Sequence, residues 1–154
     1  MQTEVRPARA DDVAALRWLE DEARTDVATR RGGPQLLAEQ PELGDEWATL
    51  VDGDPPRVLV GTIDGVPVGY LLLGPVATAA TARVEQVWVS PGAREVGFGD
   101  DLLAAATEIA RQGGAVAIEA EALPGDRDTK NLYERAGVTA RKLVVWKALA
   151  PTEQ

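Results

Sequence analysis

The stretch VWVSPGAREVGFGDDLLAAATEIARQ, residues 87–112, constrains this chain more than any other. An apolar, β-branched run gives way to a loop with three glycines, and the loop opens directly into a helical pattern. Leu102, Leu103, Ala106, Ile109 and Ala110 fall on one helical face, and Gly113 and Gly114 end the helix. The next segment, AVAIEAE, alternates with period two and reads as a strand. Strand, helix and strand in this order make a βαβ unit with parallel strands and a right-handed crossover.

The remaining segments decide what surrounds that unit. TEVRPA reads as a first strand, and Asp11 or Asp12 stands where a helix carrying Val13, Leu16, Leu19 and Ala23 needs its cap. TRRGGPQLLAEQPELGDE is punctuated by glycine and proline and reads as loops around short helices. RVLVGTIDGVPVGYLLLG gives two strands joined at Asp64-Gly65, a hairpin signal, and TARVEQVWV is a further strand. DRDTKNLYERAG is helical, with Thr129, Leu132, Tyr133 and Ala136 on one face and Gly137 at its end; KLVVWKAL reads as a last strand. The hairpin makes most of the sheet antiparallel. The expectation is a mixed α+β fold, a single domain over residues 1–150, and a frayed tail at 151–154.

Composition narrows the chemistry. The chain has 154 residues and a formal net charge of −9, which disfavours nucleic acid as a partner. It has no Cys and no His, so disulfides, thiol nucleophiles, thiolate metal sites and imidazole bases are all absent, and no metal is expected. Acid–base work falls to carboxylates, Tyr, Lys or water. The N-terminus MQTEVRPARADD is too polar for a signal peptide. The most apolar stretch is cut by Pro67, Gly69, Gly74 and Pro75, so no membrane span is expected and the cytoplasm is the default location.

A helix that starts behind a glycine loop offers free amides and the positive end of its dipole, the outline of a phosphate cradle. Gly97 and Gly99 would let a ligand approach the backbone. A dinucleotide fingerprint would need glycine where Leu102 stands. Gly92 and Gly97 have P-loop spacing, but Phe98 and Gly99 replace the Lys and Ser/Thr that must follow. The run R-E-V-G-F-G, Arg94 to Gly99, resembles the acyl-CoA loop, Arg/Gln-x-x-Gly-x-Gly/Ala, of the GNAT N-acetyltransferase family. VWVSPGA is similar to the family's lead-in strand, NLYERAGV to its late helix end, and VRPARADDVAAL to its usual opening.

The resemblance implies a sheet that splays open at the strand carrying Val87, Trp88 and Val89, where backbone groups of Val87 and Val89 would pair with a pantetheine arm. It implies acetyl-CoA as cosubstrate, its diphosphate held around Arg94, Glu95, Val96, Gly97, Phe98, Gly99 and Asp100, with Asp126, Lys130 and Tyr133 alongside. It implies direct attack on the thioester by a primary amine, from a small-molecule or peptide acceptor. Tyr133 would protonate the departing thiolate, although the same position suits a core tyrosine. Glu85, sharing a strand face with Val87 and Val89 by alternation, would act as base, or is a surface glutamate on a strand edge; Glu119 and Glu121 are further candidates. Glu95 and Val96 stand where the family usually has glycine and a basic residue, Asp126 where it often has Asn, and Asp100 and Asp101 add charge beside a diphosphate. A non-catalytic acyl-CoA-binding or regulatory relative is therefore the rival function, and a plain interaction module a third. Trp18, Trp47, Trp88 and Trp146 read as core or dimer contacts, which leaves a homodimer open.

Overall fold

The computed structural model describes residues 1–75 and 80–150; the expected tail lies outside them. Strand β1 (Thr3–Pro7) leads through a short 3-10 turn into helix α1 (Val13–Ala28), followed by α2 (Gly33–Glu39) and α3 (Trp47–Leu50). Strands β2 (Val58–Ile63), β3 (Val66–Leu73) and β4 (Thr81–Val89) come next, then α4 (Phe98–Gln112), β5 (Ala117–Ala120) and α5 (Arg127–Arg135). The five strands form one sheet in the order β1-β2-β3-β4-β5. All neighbours are antiparallel except β4 and β5, which are parallel as the βαβ pattern requires. This is the mixed α+β fold expected from the sequence.

Local chemistry accounts for the joints. The β2–β3 hairpin turns at Asp64 (φ 48°) and Gly65 (φ 82°), the left-handed pair that matches strand twist. Asp12 occupies the N-cap of α1, but its carboxylate does not cap the helix. It accepts instead from Arg6 Nη1 (2.7 Å), Arg6 Nη2 (2.9 Å) and the Arg9 amide (2.7 Å), tying β1 to the helix start. Burial pushes this carboxyl up, but Arg6 and the Arg9 amide outweigh burial and hold it below the usual carboxylate range.

The sheet separates two apolar clusters. On one side α1 and α3 cover Val58, Val60, Tyr70 and Leu72, with Trp47 set edge-on against Tyr70 at 5.3 Å between centroids. Fully buried Glu20 receives the Leu43 amide (3.0 Å) and Trp47 Nε1 (3.1 Å), which pins the segment ahead of α3 onto α1. On the other side α4 and α5 pack Leu102, Leu103, Ala106, Leu132 and Tyr133 over Leu59, Leu71, Leu73 and Val84.

The structure corrects one expected element. KLVVWKAL does not form a last strand: residues 138–150 carry no regular secondary structure, and Leu143, Val144 and Val145 are 85–91% exposed. β-propensity describes how a residue fits a pleated, partnered surface; it supplies no partner. The β5 strand is shorter than AVAIEAE, and α4 begins inside the glycine loop, at Phe98.

Candidate active site

The site begins where β4 loses its neighbour. Pairing with β5 runs only from Thr81↔Ala117 to Val84↔Ala120, and from there to Val89 β4 is paired with β3 alone among the described residues. The direction of its free groups follows from one bond. Ser90 N donates to Val68 O at 2.8 Å, so Ser90 faces β3. Alternation then turns the backbone of Trp88 toward β3 and that of Val87 and Val89 away from it, into the gap. Arg94 Nε takes up the Val89 carbonyl there at 3.0 Å.

At the end of this edge stands the glycine loop. Residues Pro91–Val96 make a 3-10 turn, Gly97 caps α4 at φ 90°, and Asp101 N is bonded to Gly97 O at 3.1 Å. The amides of Phe98, Gly99 and Asp100 therefore have no intrahelical acceptor and sit at the positive end of a long helix. A Cβ added at Gly97 would meet no atom within 4 Å, so the space in front of the loop is open. Gly99 is needed for packing instead. A Cβ there would lie 3.3 Å from Leu132, so its absence lets α5 close on α4. Phe98 is buried with its ring over Gly61, where a Cβ would come within 2.6 Å, and only its amide is available to a ligand.

The charges around the loop are mostly tied off. Asp100 accepts from Arg135 (3.0 Å), and Arg94 reaches Asp128 at 3.3 Å, both pairs solvent-exposed enough to be weak. Glu95, Val96 and Asp101 are exposed. Asp126 caps α5 by accepting the Thr129 amide (3.2 Å) and hydroxyl (2.7 Å), while Lys130 donates to Pro124 O. Beside Asp100 an open groove lies between α4 and α5, lined by Leu103, Ala104, Thr107, Arg111, Arg135 and Ala136. Among the described residues, no group of three or more acidic side chains comes together as a metal ligand set.

Tyr133 is 7% exposed within the α4–α5 cluster. Burial, then the charge of Asp126, push its phenol well above the usual tyrosine range, against a smaller opposite effect of Arg83. It stays protonated at any physiological pH and can donate but not accept a proton. Glu85 sits where the β3–β4 register slips: Leu72 pairs with Gln86 and Leu73 with Val84, leaving Glu85 as the extra, exposed residue. Strict alternation from Val87 therefore does not describe its direction, because the bulge breaks the period. Glu119 and Glu121 both hold Arg83, at 3.4 and 2.7 Å.

Two participants had no sequence signal. Glu22 of α1 accepts from Trp88 Nε1 (2.8 Å) and Ser90 Oγ (2.6 Å), and Arg94 lies over the Trp88 ring at 4.6 Å. Thus α1 and the glycine loop are coupled through β4. Arg135, which answers Asp100, is likewise visible only once α5 is placed against α4.

The family model described as Acetyltransferase (GNAT) family matches residues 13–138. Among curated proteins, none matches the chain by sequence. Among solved structures, aminoglycoside acetyltransferase AAC(6′)-Iy bound to the bisubstrate analog CoA-S-monomethyl-acetylneamine superposes with a TM-score of 0.67 at 16% identity, over 98% of this chain and 100% of that one. The same enzyme in complex with CoA gives 0.67 and 16% over 96% and 95%. A ribosomal-protein-alanine N-acetyltransferase from Brucella melitensis biovar Abortus 2308 gives 0.67 and 16% over 97% and 100%. At such identities the likeness is one of fold.

Proposed function

The chain belongs to the GNAT acetyltransferase family, and from that premise we propose that residues 1–150 act as one domain that transfers the acetyl group of acetyl-CoA directly to a primary amine of a small-molecule or peptide acceptor in the cytoplasm. The observation that carries this is the continuity of two features. The β4 edge at Val87 and Val89, which no strand covers among the described residues, runs into the free amides at Phe98–Asp100. An extended amide-bearing arm fits the first, and a diphosphate fits the second. Structures with the same fold hold CoA, and the acceptors they are named for, an aminoglycoside and a ribosomal-protein alanine, are amines.

Bound acetyl-CoA supplies an activated thioester carbonyl. In the transfer, the amine nitrogen forms a bond to that carbonyl carbon, the carbon–sulfur bond breaks, and the amine gives up a proton. Glu85 is the carboxylate offered by β4 to take that proton, directly or through water. Tyr133 serves the leaving group. Its raised pKa makes complete proton transfer to a thiolate unfavourable, since a thiol titrates near 8.5. We assign it instead a hydrogen bond donated to the developing sulfur charge, with solvent completing the protonation. Asp100 repels a diphosphate less than its charge suggests, because Arg135 accompanies it.

A CoA thiol-release assay over a panel of primary amines, including aminoglycosides, polyamines and peptide N-termini, tests this. Amine-dependent release is expected. Binding of acetyl-CoA without release for any amine would assign the chain to the non-catalytic acyl-CoA-binding class.

A further inference from the structure

The open stretch of the β4 edge has a defined end. β5 takes up that edge at Val84↔Ala120, so an arm running from the glycine loop along Val89 and Val87 can go no further than the bulge at Glu85. On the transfer reading proposed above, the thioester then lies beside Glu85 and Gln86. Val84, Val87 and Val89 pack on the α4–α5 side of the sheet, whereas Gln86 bonds Tyr70 and points to the α1 side. Near β5 the α1 side is open. Ile118 and Ala120 pack against the α4–α5 cluster, so alternation turns Glu119 and Glu121 to the other face, where with Arg83 their side chains are 38–59% exposed. A reactant other than the cofactor reaches the thioester from that face.

Gln86 has hydrogen-bonding capacity to spare there. Tyr70, 1% exposed, donates its phenol to Gln86 Oε1 at 2.7 Å. Among the described residues that phenol has no other partner, so turning Nε2 toward it instead would strand a buried donor. The amide is thereby fixed with Oε1 inward and Nε2 outward. Among the described residues Nε2 has no acceptor, and no buried side-chain nitrogen or oxygen lacks a partner, so Nε2 is open to solvent. It is a pair of N–H donors held in one direction with nothing to receive them.

We infer that Gln86, oriented by Tyr70, selects the acceptor by donating from Nε2 to an oxygen close to the attacking amine, as in an α-amino amide or a vicinal amino alcohol. The inference rests on the transfer reading and narrows its acceptor class. The nitrogen must reach the thioester beside Glu85, and Gln86 is the adjoining residue, about 3.8 Å further along the chain. The oxygen it receives must therefore lie within a few ångströms of the nitrogen. An amine carrying only hydrocarbon there would take water from the amide and return no hydrogen bond, the basis of discrimination between such substrates.

The test measures CoA thiol release with L-alaninamide, L-alaninol and isopropylamine, which share the branched carbon beside the nitrogen and differ in the oxygen. In the parent protein, kcat/KM for alaninamide, alaninol or both should exceed that for isopropylamine, and the better of the two identifies the oxygen. Gln86→Glu keeps an acceptor for Tyr70 but turns a carboxylate oxygen outward; Tyr70→Phe frees the amide to rotate. The advantage should fall by about tenfold in the first and shrink in the second, with acetyl-CoA affinity unchanged in both. Comparing the advantage between variants cancels the amines' own basicities. No advantage in the parent, or one that survives either substitution, overturns the inference. Acetyl-CoA binding without release from any amine overturns the transfer reading, and the inference with it.

Discussion

Gly97 illustrates how a single backbone angle serves a site. Its φ of 90° is one that side chains rarely adopt, and the space its missing Cβ leaves is open to a ligand. Gly97→Val should therefore do two things: destabilise by about 1–3 kcal/mol through strain, and abolish acetyl-CoA binding in calorimetry. A folded variant with unchanged affinity would place the cofactor elsewhere. The two tyrosines make a second residue-scale case. Tyr70 and Tyr133 are both held above the ordinary phenol range, chiefly by burial. A raised folded pKa contributes stability that is present below the unfolded value of about 10 and is lost as pH rises through the folded value. Alkaline titration should then show no tyrosinate absorbance near pH 10 in the native protein, and tyrosinate should appear together with unfolding. A tyrosinate step near 10 with the fold intact would contradict the burial. For catalysis, Tyr133→Phe keeps the packing and should lower kcat by roughly a hundredfold, the scale of one lost donor to developing charge. Acetyl-CoA affinity should hold; wild-type turnover would leave Tyr133 a core residue.

At the scale of elements, β4 is held by both sides of the molecule. Glu22 of α1 anchors Trp88 and Ser90, and Trp88 carries Arg94 over its ring. Glu22→Ala leaves a partly buried indole N–H without its acceptor, a loss of about 1–3 kcal/mol. Because Arg94 rests on that indole, acetyl-CoA affinity should fall as well; a variant that loses stability but binds normally would uncouple α1 from the loop. The hairpin and the β4–loop–α4 junction were legible in the sequence because turn chemistry and helix periodicity are local. The bulge at Glu85 was not, since one extra residue in a strand leaves no trace in an alternating pattern. Nor were the Asp100–Arg135 and Glu22–Trp88 contacts, which join residues far apart along the chain. KLVVWKAL had the right propensity, but pairing is a property of two strands and only one is encoded there.

Taken as a molecule, the chain combines a net charge of −9 with a proposed cosubstrate that is itself anionic, so local compensation near α4 matters. Replacing Asp100 and Asp101 together by Asn should tighten CoA binding, most visibly at low ionic strength where exposed charges are least screened. The effect should be modest, because Arg135 already accompanies Asp100. Everything proposed about the reaction depends on where the cofactor lies. Hydrogen exchange of the backbone amides with and without CoA measures this directly. CoA is predicted to protect amides in two places at once, on the free β4 edge at Val87 or Val89 and at Phe98, Gly99 and Asp100 at the start of α4. Protection confined to other elements, or none at these positions at saturating CoA, would contradict it.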